Sequence, residues 1–184
     1  AGDVVYEGGI VDDLAHSAVA ETGRLTTSNP LVNRLFENIV WTNRGNFMSV
    51  PSDCPQRDER LGWTGDGQIF SRTASYNMET VPFYTKWLTD LEDSQQPTGA
   101  FPDFAPFTPG KKTEYGDDDT YNHLASAGWA DAPVIVAWGM YEIYGDRRLM
   151  EKHYDALAKW VDFCAALSPD GIRTDRPQYG DWLS

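Results

Sequence analysis

The segment from Trp129 to Ala166 constrains the fold more than any other part of the chain. Residues 129–144, WADAPVIVAWGMYEIY, are apolar on nearly every side, which predicts a buried helix. Residues 147–166 predict an amphipathic helix, and its inward-facing side chains are expected to be Leu149, Tyr154, Leu157, Val161 and Cys164. Gly145 can end the first helix and Asp146 can cap the second, so the pair should form an αα-hairpin.

Three more helices are predicted earlier in the chain. Asn29 can cap a helix whose first residue is Pro30, and this helix should run over about residues 30–43. Its apolar face is expected to contain Leu31, Leu35, Phe36 and Ile39. The other two helices are predicted over about 66–76 and 82–94.

Two long segments without periodicity separate these helices, the first reading GNFMSVPSDCPQRDERLGWTGDG and the second covering residues 97–127. Loops of this length in a compact domain are usually functional or disordered. A buried helix, a tight turn and an amphipathic helix, with long loops between pairs, are typical of an α/α toroid. The predicted fold class is therefore all-α, with about half of such a ring present.

Residues 1–28 lack a helical period and contain VVYEGGIV, which has β-type residues around a Gly-Gly turn. We interpret 1–28 as a linker or the end of a preceding β domain, and 29–184 as the N-terminal portion of the helical domain. Half a ring leaves inner helices uncovered. The chain is therefore expected to be a fragment whose barrel the remainder of the same polypeptide completes.

Charge and composition narrow the function. The chain has 15 Lys and Arg against 28 Asp and Glu, a formal charge of -13, so it should repel nucleic acid. A neutral sugar is compatible with this charge. Seven Trp and nine Tyr suit either sugar stacking or a core built from large rings. No apolar run reaches about 18 residues, so no membrane span is expected, and no signal peptide is visible at the N-terminus.

Neither a disulfide nor a metal site is favoured. Cys54 and Cys164 lie far apart without a CxxC motif, so free thiols are preferred over one disulfide. The three histidines lack metal-binding spacing, and His153 is expected at the surface or its boundary. Residues 117–119 could bind Ca²⁺, but a solvated acidic turn is preferred. No metal or cofactor is predicted.

The loop DCPQRDERLGWTGD, residues 53–66, contains the strongest candidates for chemistry. Glycoside hydrolysis needs a carboxylic acid that protonates the leaving oxygen and a second carboxylate. Glu59 has other acids nearby and Trp63 four residues later, which would help it stay protonated. Asp53 and Asp66 could accept hydrogen bonds from sugar hydroxyls. The alternative is a salt-bridged surface loop in which arginines neutralise these acids.

This loop closely resembles the signature of family 78 glycoside hydrolases, the bacterial and fungal α-L-rhamnosidases. The stretches SNPLVNRLFENIVWT, GWADAPVIVAWGMYEIYGD and YGDWL are similar to further parts of that family in the same order. The resemblance covers roughly residues 21–184. It implies an (α/α)6 barrel, an inverting reaction and a rhamnose-containing glycoside or polysaccharide as substrate.

The resemblance also implies roles for individual residues. Glu59 matches the general acid. Asp53, Arg57, Trp63 and Asp66 match positions that hold rhamnose in the −1 pocket, and Trp129 and Trp182 match aromatic positions lining it. Asp131, close to Trp129, is a secondary candidate for contact with the sugar.

The family's general base is a Glu well downstream of YGDWL, beyond Ser184, so the isolated chain is expected to be inactive. Two alternatives stay open. One is another (α/α)6-barrel glycosidase, trehalase-like or glucoamylase-like, and the other is a sugar-binding module without catalysis.

Overall fold

The fold is helical, with two short antiparallel ribbons. In the computed structural model the described residues are 3–5, 11–13, 16–57, 61–107, 123–174 and 179. They form five helices, which are α1 (Pro30–Asn46), α2 (Thr64–Asn77), α3 (Val81–Asp93), α4 (Ala132–Tyr144) and α5 (Arg148–Ala166). The predicted helices are all present, and the all-α class is confirmed.

The two ribbons flank α1 in the sequence. Strands β1 (Asp3–Val5) and β2 (Val11–Asp13) pair with Val5 opposite Val11, which confirms a short extended segment near the N-terminus. Strands β3 (Phe47–Met48) and β4 (Val50–Pro51) reverse the chain directly after α1. The reversal places Ser49 in the left-handed region, at φ 70°.

Local capping signals set the helix ends. The Asn29 side chain accepts a hydrogen bond from Leu31 N at 2.9 Å, and Pro30 begins α1, as predicted. Gly145 ends α4 in the left-handed conformation at φ 69°, where glycine carries no Cβ penalty. Asp146 Oδ1 accepts from Arg148 N at 2.9 Å, so the α4–α5 hairpin is confirmed.

Helix α4 lies at the centre of the packing. It contacts α2, α3 and α5, and α3 also contacts α5. Ala132, Val136 and Ala137 on α4 are completely buried, and small side chains here let the neighbouring helices approach closely. Trp87 and Tyr84 of α3 fill the same core.

Two predictions about helix faces were wrong. Helix α4 is not buried all round, because Ile135 and Trp138 are 48% and 52% exposed. On α5, Tyr154 and Val161 were expected inward but are 66% and 55% exposed, and together with Trp138 they line an open groove of about 430 Å³. The buried face of α5 contains Leu149, as predicted, together with His153, Ala156 and Trp160.

The position of His153 explains part of this difference between the predicted and the observed buried face of α5. Its side chain is only 2% exposed, not at the surface as expected, and Nδ1 lies 2.6 Å from Oε2 of Glu92 on α3. This polar contact turns the 153 face of α5 toward α3. Apolar periodicity alone placed Tyr154 there instead.

Helix α1 leads directly into β3, and half of its predicted apolar face stays open. Leu31 and Leu35 are 77% and 58% exposed, whereas Val40 and Asn43 are buried. Cys54 and Cys164 are not joined by a disulfide, which agrees with the preference stated from the sequence. Within the described ranges, no helix combines the length and apolar character that a bilayer crossing requires.

Candidate active site

A short segment, residues 101–105, is fastened to the start of α2. Thr64 donates twice to the carbonyl oxygen of Asp103, from its backbone N at 2.9 Å and from Oγ1 at 2.8 Å. Ala105 N donates to the carbonyl oxygen of Gly62 at 3.0 Å. These bonds hold the backbone on both sides of Trp63, so the direction of its indole is fixed.

The Trp63 ring is buried in an aromatic cluster. It is 8% exposed and meets Phe104 edge-on at a centroid distance of 5.3 Å. It also meets the His123 ring at 5.5 Å and an interplanar angle of 77°. Both partners come from segments distant in sequence, and together they leave the indole few alternative orientations.

Trp129 lies directly against the first turn of α2. A Cβ built on Gly65 would be 2.7 Å from Trp129 Nε1, so glycine is what allows the indole to lie there. Gln68, one turn later on α2, donates through Nε2 to the carbonyl oxygen of Gly128. The Tyr179 ring also lies against Trp129, with the centroids 4.6 Å apart and the ring planes tilted by 60°.

Asp53 and Arg57 form an ion pair in the loop before α2. Arg57 Nη2 donates to Asp53 Oδ2 at 3.4 Å, and the two side chains are 28% and 12% exposed. Within the described part of the chain, Asp53 Oδ1 is buried without a hydrogen-bond partner. The pair fits the salt-bridged loop considered as an alternative, whereas the buried Oδ1 fits a carboxylate that receives a ligand hydroxyl.

The remaining predicted residues differ in their surroundings. Asp66 is exposed in the first turn of α2, where the helix dipole favours a carboxylate. Asp131 already accepts two hydrogen bonds within the chain, from Gly128 N at 2.9 Å and from Trp160 Nε1 at 3.1 Å. Glu59 and Trp182 lie outside the described residues, as do residues 117–119.

The structure thus brings Trp63, Asp66 and Trp129 together around the N-terminal turn of α2. The 53–57 loop returns to the same region because Asp53 N donates to the carbonyl oxygen of Leu61 at 3.4 Å. Aromatic faces beside hydrogen-bonding carboxylates form an arrangement that can bind a neutral sugar.

Sequence reasoning missed a buried carboxylate beside this region, Asp103. It is fully buried and accepts hydrogen bonds from Ser126 N at 3.0 Å, Ser126 Oγ at 2.7 Å and Tyr179 OH at 3.0 Å. Burial raises the pKa of Asp103, while the bonds from Ser126 and Tyr179 and the nearby His123 act in the opposite direction. The signal available was a single acid inside the apolar run AFPDFAPF.

The segment that carries His123 and Ser126 has an unusual backbone. His123 and Ala125 adopt φ of 52° and 60°, in the left-handed region that non-glycine residues rarely occupy. Asp103 N donates to the carbonyl oxygen of His123 at 2.9 Å, and Ala125 N donates to that of Phe101 at 2.8 Å. Strain of this kind persists where surrounding contacts over-determine it, often at functional sites.

Other chemistry has little support in the described residues. They contain no group of three or more His, Cys, Asp or Glu side chains able to hold a metal ion. The hydrogen bond with the Asp53 side chain, followed by burial, raises the pKa of the Cys54 thiol. A raised pKa reduces the thiolate fraction, which is the nucleophilic form.

Comparison with known proteins identifies the family. Residues 20–184 match the bacterial alpha-L-rhamnosidase 6 hairpin glycosidase domain. The chain belongs to this family. The predicted resemblance is therefore confirmed, and the five helices of the described residues fit a partial (α/α)6 barrel.

Proteins named as alpha-L-rhamnosidases are similar to this chain over most of its length. An alpha-L-rhamnosidase of Streptomyces avermitilis is 42% identical over 92% of the chain, and the chain spans 15% of that protein's length. The crystal structure of the Streptomyces avermitilis enzyme complexed with L-rhamnose has a TM-score of 0.81 at 40% identity, covering 96% of this chain and 16% of that one. The rhamnosidase structure from Dictyoglumus thermophilum has a TM-score of 0.78 at 37% identity, covering 95% and 18%.

Proposed function

We propose that this chain supplies the general-acid half of an active site that hydrolyses terminal α-L-rhamnosides with inversion. The observation that carries the proposal is Trp129 lying against Gly65, inside the loop and helix that carry DCPQRDERLGWTGD. Family membership, and a similar enzyme complexed with L-rhamnose, support rhamnose as the sugar.

In this proposal Glu59 protonates the glycosidic oxygen as the bond to the sugar breaks. An inverting site places its two carboxyl groups about 6.5–9.5 Å apart so that a water molecule fits between them. The base that activates this water is proposed to lie in polypeptide beyond this chain. The isolated chain then binds sugar without turning it over.

The sugar contacts divide by chemistry. Trp63, Trp129 and Trp182 are proposed to pack their faces against the C–H groups of the ring, and Asp53 and Asp66 to accept from its hydroxyls. The buried Oδ1 of Asp53 supports the role of this residue as an acceptor of sugar hydroxyls. A buried acceptor without a partner is stabilised when a hydroxyl donates to it.

Arg57 is proposed to hold the Asp53 carboxylate through the ion pair and to donate to the sugar. Asp131 is a secondary candidate, since each of its oxygens accepts one hydrogen bond from the described residues and a carboxylate oxygen can accept two.

We also propose that further helical hairpins complete the barrel against the open faces of α1 and α4. Leu31 and Leu35 on α1 are 77% and 58% exposed, and Ile135 and Trp138 on α4 are about half exposed. Apolar surface of this extent is characteristic of an interface. The hairpins that cover these two faces are expected to belong to the same polypeptide.

The experiment is a graft in which this chain replaces the corresponding segment of the Streptomyces avermitilis α-L-rhamnosidase. The graft is expected to hydrolyse p-nitrophenyl α-L-rhamnoside and not the matching α-D-glucoside, and NMR should show the β-anomer of rhamnose released first. Activity on the glucoside alone would favour another barrel glycosidase, and rhamnose binding without turnover would favour a sugar-binding module.

The role of Glu59 is tested in the graft with Glu59→Gln. General acid catalysis contributes on the order of 10²- to 10⁴-fold. The loss in kcat should be large for methyl α-L-rhamnoside and much smaller for the p-nitrophenyl glycoside, because p-nitrophenolate leaves without protonation. Glu151→Gln is the control, because this carboxylate is 60% exposed on α5 and lies outside the candidate site. It is expected to lower kcat on neither substrate. An equal loss on both substrates in Glu59→Gln would remove Glu59 as the acid.

A further inference from the structure

The buried Asp103 carboxylate connects three segments that are far apart in sequence. It accepts from Ser126 N through Oδ1 at 3.0 Å, and from Ser126 Oγ and Tyr179 OH through Oδ2 at 2.7 and 3.0 Å. All three partners are donors, so together they favour an ionised acceptor over a neutral amide of the same shape.

The hydrogen-bond chain continues from Tyr179 to His123. Because the Tyr179 hydroxyl donates its proton to Asp103, its oxygen accepts from His123 Nδ1, which lies 2.9 Å away. The proton order is therefore His123 Nδ1–H to Tyr179 O–H to Asp103 Oδ2. An asparagine at 103 would place an amide donor against one of these hydroxyls, or against Ser126 N, and would disturb this order.

The two rings of this hydrogen-bond network, Tyr179 and His123, each lie against a different indole of the candidate site. The Tyr179 ring lies 4.6 Å from Trp129 between centroids, and the His123 ring lies 5.5 Å from Trp63. The backbone carbonyl of Asp103 also receives both hydrogen bonds from Thr64, the residue after Trp63. One residue is thus linked to both tryptophans.

We propose that Asp103 is a positioning residue that sets the spacing of Trp63 and Trp129, acting through His123 and Tyr179. The inference rests on the proposed function, in which both indoles contact the sugar. Asp103 itself touches neither the sugar nor the reacting atoms. Its loss should therefore weaken substrate binding while the chemical step is largely kept.

The test compares three variants in the grafted rhamnosidase. Tyr179→Phe keeps the ring against Trp129 and removes only the hydroxyl, and Asp103→Asn keeps the shape and removes the charge. Both are expected to raise KM for p-nitrophenyl α-L-rhamnoside about tenfold, with kcat within about threefold of the parent graft.

Ser126→Ala is the matched comparison, because Ser126 donates to the same carboxylate but contacts neither His123 nor Tyr179 in the chain of hydrogen bonds. It is expected to lower the Tm as much as the other two variants and to change KM less than about twofold. The inference would be overturned if all three variants had the same KM and if their losses of activity followed only their losses in Tm. The network would then be only a structural support.

A second measurement uses this chain alone and isotope-labelled tryptophan. The indole N–H resonances of Trp63 and Trp129 should shift in Tyr179→Phe, whereas that of Trp41 on α1 should not. An unshifted Trp129 resonance would also overturn the inference. If the parent graft itself fails to hydrolyse the rhamnoside, the proposed function falls and this inference falls with it, whereas an active graft with unchanged KM in the variants refutes only the positioning role.

Discussion

The Trp129 indole occupies the space that a side chain at Gly65 would need. A Cβ at position 65 would lie 2.7 Å from Trp129 Nε1 and 2.9 Å from Cε2. Real Cβ atoms do not approach other atoms so closely, so any larger residue must displace the indole. Position 65 therefore controls where one wall of the proposed sugar pocket stands.

Gly65→Ala should weaken sugar binding because it moves Trp129. In the grafted rhamnosidase, KM for p-nitrophenyl α-L-rhamnoside is expected to rise about tenfold, equivalent to about 1.4 kcal/mol. Gly139→Ala on α4 is the control, because its added Cβ meets no atom of the described residues within 4 Å. The Tm of this control in the graft should equal that of the parent graft. An unchanged KM in Gly65→Ala would show that the indole position does not matter for binding.

Gly67→Ala should instead destabilise the core. A Cβ there would lie 2.6 Å from Trp87 Cη2 and 3.0 Å from Pro51 Cγ. Overpacking of this kind reduces the free energy of unfolding by about 1–3 kcal/mol. Urea denaturation of this chain measures the change, again against Gly139→Ala. A stability equal to that of the parent chain would mean that Trp87 can shift freely.

Asp131→Ala should also reduce stability, because Trp160 Nε1 and Gly128 N would lose their acceptor. Trp160 is 2% exposed, and a buried donor left unpaired costs about 1–3 kcal/mol. A double-mutant cycle with Trp160→Phe isolates the shared contribution. If stability were unchanged while rhamnose binding weakened, the carboxylate would be assigned to the sugar instead.

The raised pKa of Asp103 predicts how stability depends on pH. A carboxyl whose pKa is higher in the folded than in the unfolded chain contributes stability below its ordinary pKa of 3.8, and this contribution is lost as the pH rises through the folded value. The free energy of unfolding of the parent chain, minus that of Asp103→Asn, should therefore increase as the pH falls from about 7 toward 3.8. Denaturant titrations across that range measure it. A difference that decreases on acidification would mean that the donors around Asp103 outweigh burial.

Features determined by neighbouring residues were predictable from sequence. The Asn29 cap, Pro30 at the start of α1 and the turn at Gly145 depend on bonds within a few residues, and all three were predicted. The start of α4 was placed three residues early. The turn before it is held by Asp131 bonding to Gly128, and Trp129 belongs to this turn and not to the helix.

Features determined by distant partners were missed. His153 is buried because its Nδ1 meets a partner 61 residues away, the Glu92 carboxylate, whose Oε2 accepts from it at 2.6 Å. Asp103 receives its hydrogen bonds from residues 23 and 76 positions away, so nothing local marked it as part of a network. The residues of the 53–66 loop suggested Glu59, Asp53 and Asp66 as candidates, but composition alone favoured a salt-bridged loop. The family resemblance is what turned the preference toward a sugar site.

The fastening of residues 101–105 to α2 also bears on the order in which the protein folds. Thr64 and Asp103 are 39 residues apart, and Gln68 and Gly128 are 60 apart, so each contact must close a long loop. The α4–α5 hairpin needs only a short turn and can form from its own sequence. During synthesis, Trp63 and Gly65 emerge well before Trp129 and Tyr179. The contacts that hold Trp63 and Trp129 in place are therefore expected to form after the α4–α5 hairpin, because they must close much longer loops.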